Sequence, residues 1–339
     1  MHKEAEIHMR QLSLIYKFIF GILLCLGAFI IAMSFGAADI QVKDVWLAIM
    51  TDIETKSTLL INEIRLPREV AAIFVGAALA VSGSVMQGLT KNPLADPGLL
   101  GLTAGANTAL AIAIAIIPSA SYLWVTIACF IGAAVGAILV IGIGSVKRGG
   151  FSPFRIVLAG AAVTAFLSAI GEFIGLYFKV SKDVSMWTAG GLVGTSWSQV
   201  NLIGPFILFG VILAIFLSKQ LTILSLNEEV AVGLGQKVTR IKFGLFICVV
   251  ILAGAAVALV GNMVFIGLMI PHIVRAIVGT DYRFIIPMSI FIGAGFMLLA
   301  DTVGRTINAP YETPVAAIVA IMGLPFFLFI VKRGGKELS

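Results

Sequence analysis

Charge is scarce in this chain. Only 12% of its 339 residues are Asp, Glu, Lys or Arg, about half the share carried by a soluble domain. That scarcity excludes a water-facing surface over most of the length. Cysteine and histidine are scarcer still. Cys25, Cys129 and Cys248 lie far apart, each inside an apolar run, so their spacing offers neither a disulfide framework nor a metal-ligand set. They read as small core residues. His272 is the only histidine outside the N-terminal tail, and no carboxylate or second histidine stands at ligand spacing, so it reads as a packed or interfacial residue. The chain also lacks a G-x-x-x-x-G-K-[ST] segment. Its only Gly-Gly-Lys, Gly334 to Lys336, is followed by Glu337 in a polar tail, so no nucleotide site is expected. The net charge of +6 comes from basic residues scattered singly between apolar runs, which excludes a nucleic-acid-binding face.

What is abundant is apolar length. Hydrophobic residues make up 60% of the chain and the mean hydropathy is +1.08, so lipid is the solvent for most of it. Ten stretches have near-bilayer length: roughly 13–35, 66–90, 98–117, 122–146, 154–178, 200–218, 241–260, 263–279, 284–304 and 314–331. The first follows Lys3, Arg10 and Lys17 but is too long for a signal peptide and has no small-residue cleavage site after it. With the N-terminus inside, 16 of the 23 Lys and Arg residues fall on the cytoplasmic side and 7 outside, which predicts that both termini are cytoplasmic. The fold class expected is therefore an all-α polytopic membrane protein of about ten helices. No Ser/Gly linker interrupts it, so residues 1–339 are expected to form one integral domain, with a cytoplasmic tail over 1–12 and a cytoplasmic loop over 225–240. Membrane lipid is one expected partner. Glycine is frequent within the spans, and Gly101 with Gly105, Gly132 with Gly136 and Gly171 with Gly175 each stand four residues apart. That spacing predicts close helix packing.

Four segments rise above this background. Arg65-Leu66-Pro67-Arg68 places two fixed charges one turn apart beside a proline able to start a helix. Gln87 to Gly98 carries Asn92-Pro93-Leu94-Ala95-Asp96-Pro97, whose two prolines force non-helical backbone just after a span; such backbone either lines a cavity or forms a plain turn. In Ser225 to Gly235, Ser225 with Glu228 fits a capping box, and Leu226, Val230 and Leu234 recur every four residues, predicting a short amphipathic helix on the inner surface. The C-terminal third contains Phe265 to Arg275 around Pro271-His272, then Leu298-Leu299-Ala300-Asp301 with Arg305, then Gly323-Leu324-Pro325-Phe326-Phe327.

In this order, RLPR, NPLADPGLLG, the E-x-A-x-x-L-G loop, FIGLMIPHIVR, LLAD with its later arginine, and GLPFF resemble the permease subunits of the ferric-siderophore and cobalamin ABC importers, from about Arg65 to Phe327. The resemblance implies a subunit that pairs with a second permease, identical or paralogous, above two cytoplasmic ATP-binding subunits and below an extracytoplasmic substrate-binding protein. It implies that Arg65, Arg68 and Arg305 meet acidic residues of that binding protein, a contact suited to the rigid guanidinium fork. It places Asn92 and Leu94 at the cytoplasmic gate and Ser152-Pro153 near a second one. It assigns ATPase coupling to the segment with Leu226, Glu229, Ala231, Gly233, Leu234 and Gly235. It implies no cofactor on this chain, with ATP and magnesium used by the partner ATPase, and therefore no enzymatic activity of its own. The cargo implied is a ferric siderophore, with cobalamin or haem as alternatives.

Glu172 belongs to none of these motifs. A carboxylate within a span is a functional candidate by default; it either lines the path, pairs with Lys179 seven residues on, or is a protonated buried acid. Asp301 is expected to serve structure at the outer end. An ion-coupled secondary transporter would carry more buried ionisable residues than Glu172, and an intramembrane enzyme would need a base or metal cluster beside its nucleophile.

Overall fold

The computed structural model describes residues 2–35, 43, 45–46, 55–145, 153–309 and 311–334, and among them the regular structure is helical throughout. The helices are α1 (His2–Ser34), α2 (Lys56–Leu60), α3 (Leu66–Thr90), α4 (Leu102–Ile116), α5 (Tyr122–Ser145), α6 (Pro153–Tyr177), α7 (Ser181–Gly190), α8 (Trp197–Leu226), α9 (Glu228–Gly233), α10 (Val238–Val260), α11 (Ile266–Val278), α12 (Tyr282–Thr306) and α13 (Val315–Gly334). Among the described residues, seven helical segments are long and apolar enough to cross a membrane, and three shorter apolar ones run Leu102–Ile116, Ile266–Val278 and Val315–Leu328.

The centre of the bundle is α3, whose Ala, Val, Gly and Ser side chains are buried along most of its length. It packs against α8, α10, α11 and α12. Small residues make that possible. A Cβ on Gly76 would lie 2.3 Å from the Gly293 carbonyl oxygen, and one on Gly293 would lie 2.4 Å from that of Gly76, so α3 and α12 touch backbone to backbone. The α4–α5 crossing repeats the device. Gly105 and Gly132 face each other, and Gly136 abuts the Gly101 carbonyl. These are four of the glycines whose spacing predicted close packing.

Three boundaries differ from the sequence reading. The second span does not start at Leu66: α2 and a π-helical turn over Ile61–Arg65 run without a break into α3. The π turn (i→i+5) absorbs the register change, with Pro67 in the first turn of α3. Helix α8 spans 30 residues and keeps Pro205 in its interior, overrunning the expected 200–218. The stretch between the expected spans 154–178 and 200–218 contains α7. The helix α3 stops at Lys91, which takes a left-handed φ of 52°, and the Asn92-Pro93 that follows cannot continue it. Cys129 and Cys248 are buried free thiols and Cys25 is half-buried and free.

Candidate functional site

Polar chemistry gathers at the two ends of the bundle. At the end expected to face outward, α3 and α12 bring Arg68, Glu69, Asp301 and Arg305 together. Arg68 donates from Nε and Nη2 to the fully buried Asp301, at 3.0 and 2.9 Å to Oδ2 and Oδ1. Its remaining edge donates to Glu312, Nη1 to Oε1 at 2.9 Å and Nη2 to Oε2 at 3.0 Å. Arg305 donates from Nη2 to Glu69 Oε1 at 2.5 Å and to the Ala32 carbonyl at 3.2 Å, while its Nε lies 3.0 Å from Asp301 Oδ2 at ion-pair distance without hydrogen-bond geometry. Arg65 donates to the Met33 carbonyl at 2.6 Å, tying α1 to the π turn. All three arginines are buried. The forks that the resemblance assigns to a partner's carboxylates hold this chain's own carboxylates and carbonyls. No motif marks Glu69 or Glu312: Glu69 follows Arg68 in the chain but reaches Arg305 across helices, and Glu312 lies in the turn before α13.

At the opposite end the segment after α3 folds back on itself. Asn92 Oδ1 accepts from the Leu94 N–H at 3.0 Å, the Ala95 N–H donates to the Asn92 carbonyl at 3.1 Å, and Asp96 Oδ1 accepts from the Gly98 N–H at 2.7 Å. These two Asx turns and the backbone turn between them close a compact non-helical loop that leaves Asn92 and Leu94 exposed. His272 Nε2 lies 3.0 Å from the Pro93 carbonyl oxygen, so the histidine predicted as a packing residue pins this loop to α11. Gln87 donates to the Leu268 carbonyl at 3.2 Å and accepts from Arg275, which ties α3 to the same helix.

Beside it stands the short helix α9. Its N-cap is Asn227, whose side chain accepts from the Glu229 N–H at 3.0 Å. The expected Ser225–Glu228 capping box does not form: Ser225 lies inside α8 and donates to the Thr222 carbonyl at 2.8 Å, because α8 continues to Leu226. Glu228 instead pairs with Lys242 at 2.7 Å, fastening α9 to α10. Ala231 is buried, whereas Leu226, Val230, Val232 and Leu234 are exposed apolar side chains, and Glu229, Gly233 and Gly235 are exposed with them. Nothing lies within 4 Å of a Cβ built on Gly233 or Gly235.

Glu172 is exposed on α6, on one stripe with Ala161, Ala165, Ala169 and Phe173, and among the described residues it makes no ion pair, so the pairing with Lys179 is absent. Ser152 lies outside the described residues, and Pro153 opens α6.

A helical bundle with an arginine–carboxylate cluster at one end and, at the other, a pinned loop beside an exposed apolar helix matches one family model over residues 23–333, the FecCD transport family. The chain belongs to this family. It is a multi-pass permease of the bacterial cytoplasmic membrane, of the kind found in ABC importers. It is 46% identical to an iron(3+)-hydroxamate import system permease of Bacillus subtilis over 93% of this chain and 82% of that one. It is 38% identical to an Fe(3+)-citrate import system permease of the same organism, over 96% and 97%. The permease also superposes on an ABC transporter described as of metal-chelate type and solved facing inward, with a TM-score of 0.81, 25% identity, and 93% and 98% of the two chains covered.

Proposed function

We propose that this permease is the membrane-spanning subunit of an ATP-driven importer that carries a ferric siderophore across the cytoplasmic membrane. The similarity to the hydroxamate permease of Bacillus subtilis, at 46% identity, carries the reading. The seven long and three shorter apolar helices support ten spans in one domain with both termini in the cytoplasm. The chain binds no cofactor and hydrolyses nothing; two ATP-binding subunits use ATP and magnesium beneath it. The exposed apolar side chains of Leu226 at the end of α8, Val230 on α9 and Leu234 just after it suit ATPase docking, since exposed apolar surface gains by burial against a partner. Glu229, Ala231, Gly233 and Gly235 shape that segment. Asn92 and Leu94 close the cytoplasmic end of the path, Ser152 and Pro153 belong to a second gate, and Pro153 opens the helix that lines the path. A second permease, identical or paralogous, covers the exposed stripe of α6, and Glu172 faces the path between them. An acidic binding protein docks over Arg65, Arg68 and Arg305.

The test is uptake of 55Fe-labelled hydroxamate, catecholate and citrate chelates, and of haem and cobalamin, by cells lacking the permease, with and without its return. Restored uptake of one ferric siderophore, abolished by Gly233→Glu while the protein remains in the membrane, is the expected result. Restored uptake of haem or cobalamin alone would replace the siderophore assignment, and no change with any chelate would overturn it.

A further inference from the structure

Arg68 is held from two sides that differ in exposure. Its inner edge faces Asp301, whose side chain is 0% exposed and which also neighbours Arg305. Its outer edge faces Glu312 in a fork-to-fork arrangement, with Nη1 donating to Oε1 and Nη2 to Oε2. The Glu312 side chain is 33% exposed and sits in the turn between α12 and α13. Its neighbours Ile307 and Tyr311 are exposed, and the turn is fastened back by the Thr313 N–H on the Gly304 carbonyl at 2.9 Å. Among the described residues, Arg68 is the only side chain that Glu312 bonds.

We infer that Glu312 is a placeholder: it occupies the docking fork of Arg68 until an acidic side chain of the binding protein displaces it. The inference rests on the proposed docking role of these arginines and adds how docking occurs. Three observations carry it. Arg68 is buried, so no partner carboxylate reaches its fork while Glu312 is in place. Glu312 is the most exposed carboxylate of the cluster and stands on its solvent side, so it is the one that yields. The exchange conserves charge. Arg65, Arg68 and Arg305 carry three formal positive charges against Glu69, Asp301 and Glu312, and a partner carboxylate in place of Glu312 leaves the count unchanged, whereas an empty fork would leave a buried guanidinium short of a partner. A buried charge that must wait for its partner is kept satisfied by a substitute that presents the same bidentate geometry.

The displaced side chain also has somewhere to go. Glu312 lines a cavity of about 670 Å³ bounded by Tyr122, Trp187, Asp183 and Gln199. Docking therefore moves a carboxylate from the fork to the wall of this cavity and loosens the α12–α13 turn. The partner surface this fits carries an Asp or Glu that projects far enough to enter the space Glu312 leaves.

The experiment uses the permease with its ATP-binding subunits in nanodiscs, and the binding protein required for uptake in the assay above. Binding is measured by surface plasmon resonance for the parent, Glu312→Gln and Glu312→Asp. The expected result is a Kd lower by about fivefold or more for Glu312→Gln, mostly through faster association, with Glu312→Asp between the two because the shorter acid holds the fork less well. Unchanged or weaker binding by a monodisperse Glu312→Gln complex overturns the inference. Hydrogen exchange in the unaltered complex tests it without a variant: amides of 307–314 are expected to exchange faster when the binding protein docks, and slower exchange overturns the inference. Absence of any docking by the parent would instead overturn the docking role itself.

Discussion

Asp301 shows how much one side chain carries in this protein. It receives Arg68 on one side and stands 3.0 Å from Arg305 on the other, with no exposure to water. Taking away one partner of a buried ion pair costs about 3–5 kcal/mol, because the remaining charge stays desolvated. Asp301→Asn keeps the shape and removes the charge. Its thermal unfolding in detergent is expected to show a loss of that order, and a melting temperature equal to the parent's would show that the cluster is structurally idle. The residues of this cluster were only half legible beforehand. Arg65, Arg68, Asp301 and Arg305 stood in recognisable motifs, but nothing in the order of residues distinguishes an arginine facing a partner from one facing Glu312. Pairings between residues more than two hundred positions apart are set by helix packing. His272 is similar: its lack of ligand-spaced neighbours excluded a metal, and only the structure placed its ring against the Pro93 carbonyl.

At the scale of helices, the glycine pairs make a sharp case. A Cβ on Gly105 would stand 2.2 Å from the Gly132 carbonyl oxygen, so Gly105→Val must push α4 away from α5. Overpacking of this kind costs about 1–3 kcal/mol, and the expected outcome is a lower unfolding temperature with less permease recovered from the membrane. A parent-like melting curve would mean that the two helices separate freely. The start of α12 supplies a pH-dependent test. Asp281 caps that helix by accepting from the Arg283 N–H at 3.0 Å, and the Thr222 hydroxyl donates to it from α8 at 3.0 Å. Burial pushes its carboxyl up, but hydrogen bonds from Arg283 and Thr222 outweigh this and hold it below the ordinary carboxylate value. A carboxyl lowered in the folded state contributes stability that is complete above its unfolded value of about 4 and is lost as the pH falls through the folded value. Asp281→Ala is therefore expected to melt below the parent at pH 7, with a cap's worth of about 0.5–2 kcal/mol, and the two curves should converge as the pH falls below that window. A gap that persists in acid would assign the effect to packing.

For the molecule as a whole, the proposed pairing with a second permease turns on the exposed stripe of α6. Glu172 lies on that stripe among alanines, where a carboxylate facing hydrocarbon would cost about 2.5–3.5 kcal/mol at the helix centre. If the stripe lines the path with a second permease, Glu172→Leu should reduce ferric-chelate uptake without lowering the thermal stability of the purified protein. Unchanged uptake with raised stability would place the residue against lipid. An all-helical membrane permease and its family are both legible from the order of residues, because hydropathy, charge bias and ordered motifs are local properties written residue by residue. Most long helices it marked out are present. The boundaries it misplaced, at the π turn before α3 and at the end of α8, are those where a helix continues past its apolar run. Which charges face inward depends on how the helices pack. The side on which an arginine's fork points depends on the rotation of α3 against α12, fixed where Gly76 meets Gly293, and on a turn that brings Glu312 back over Arg68.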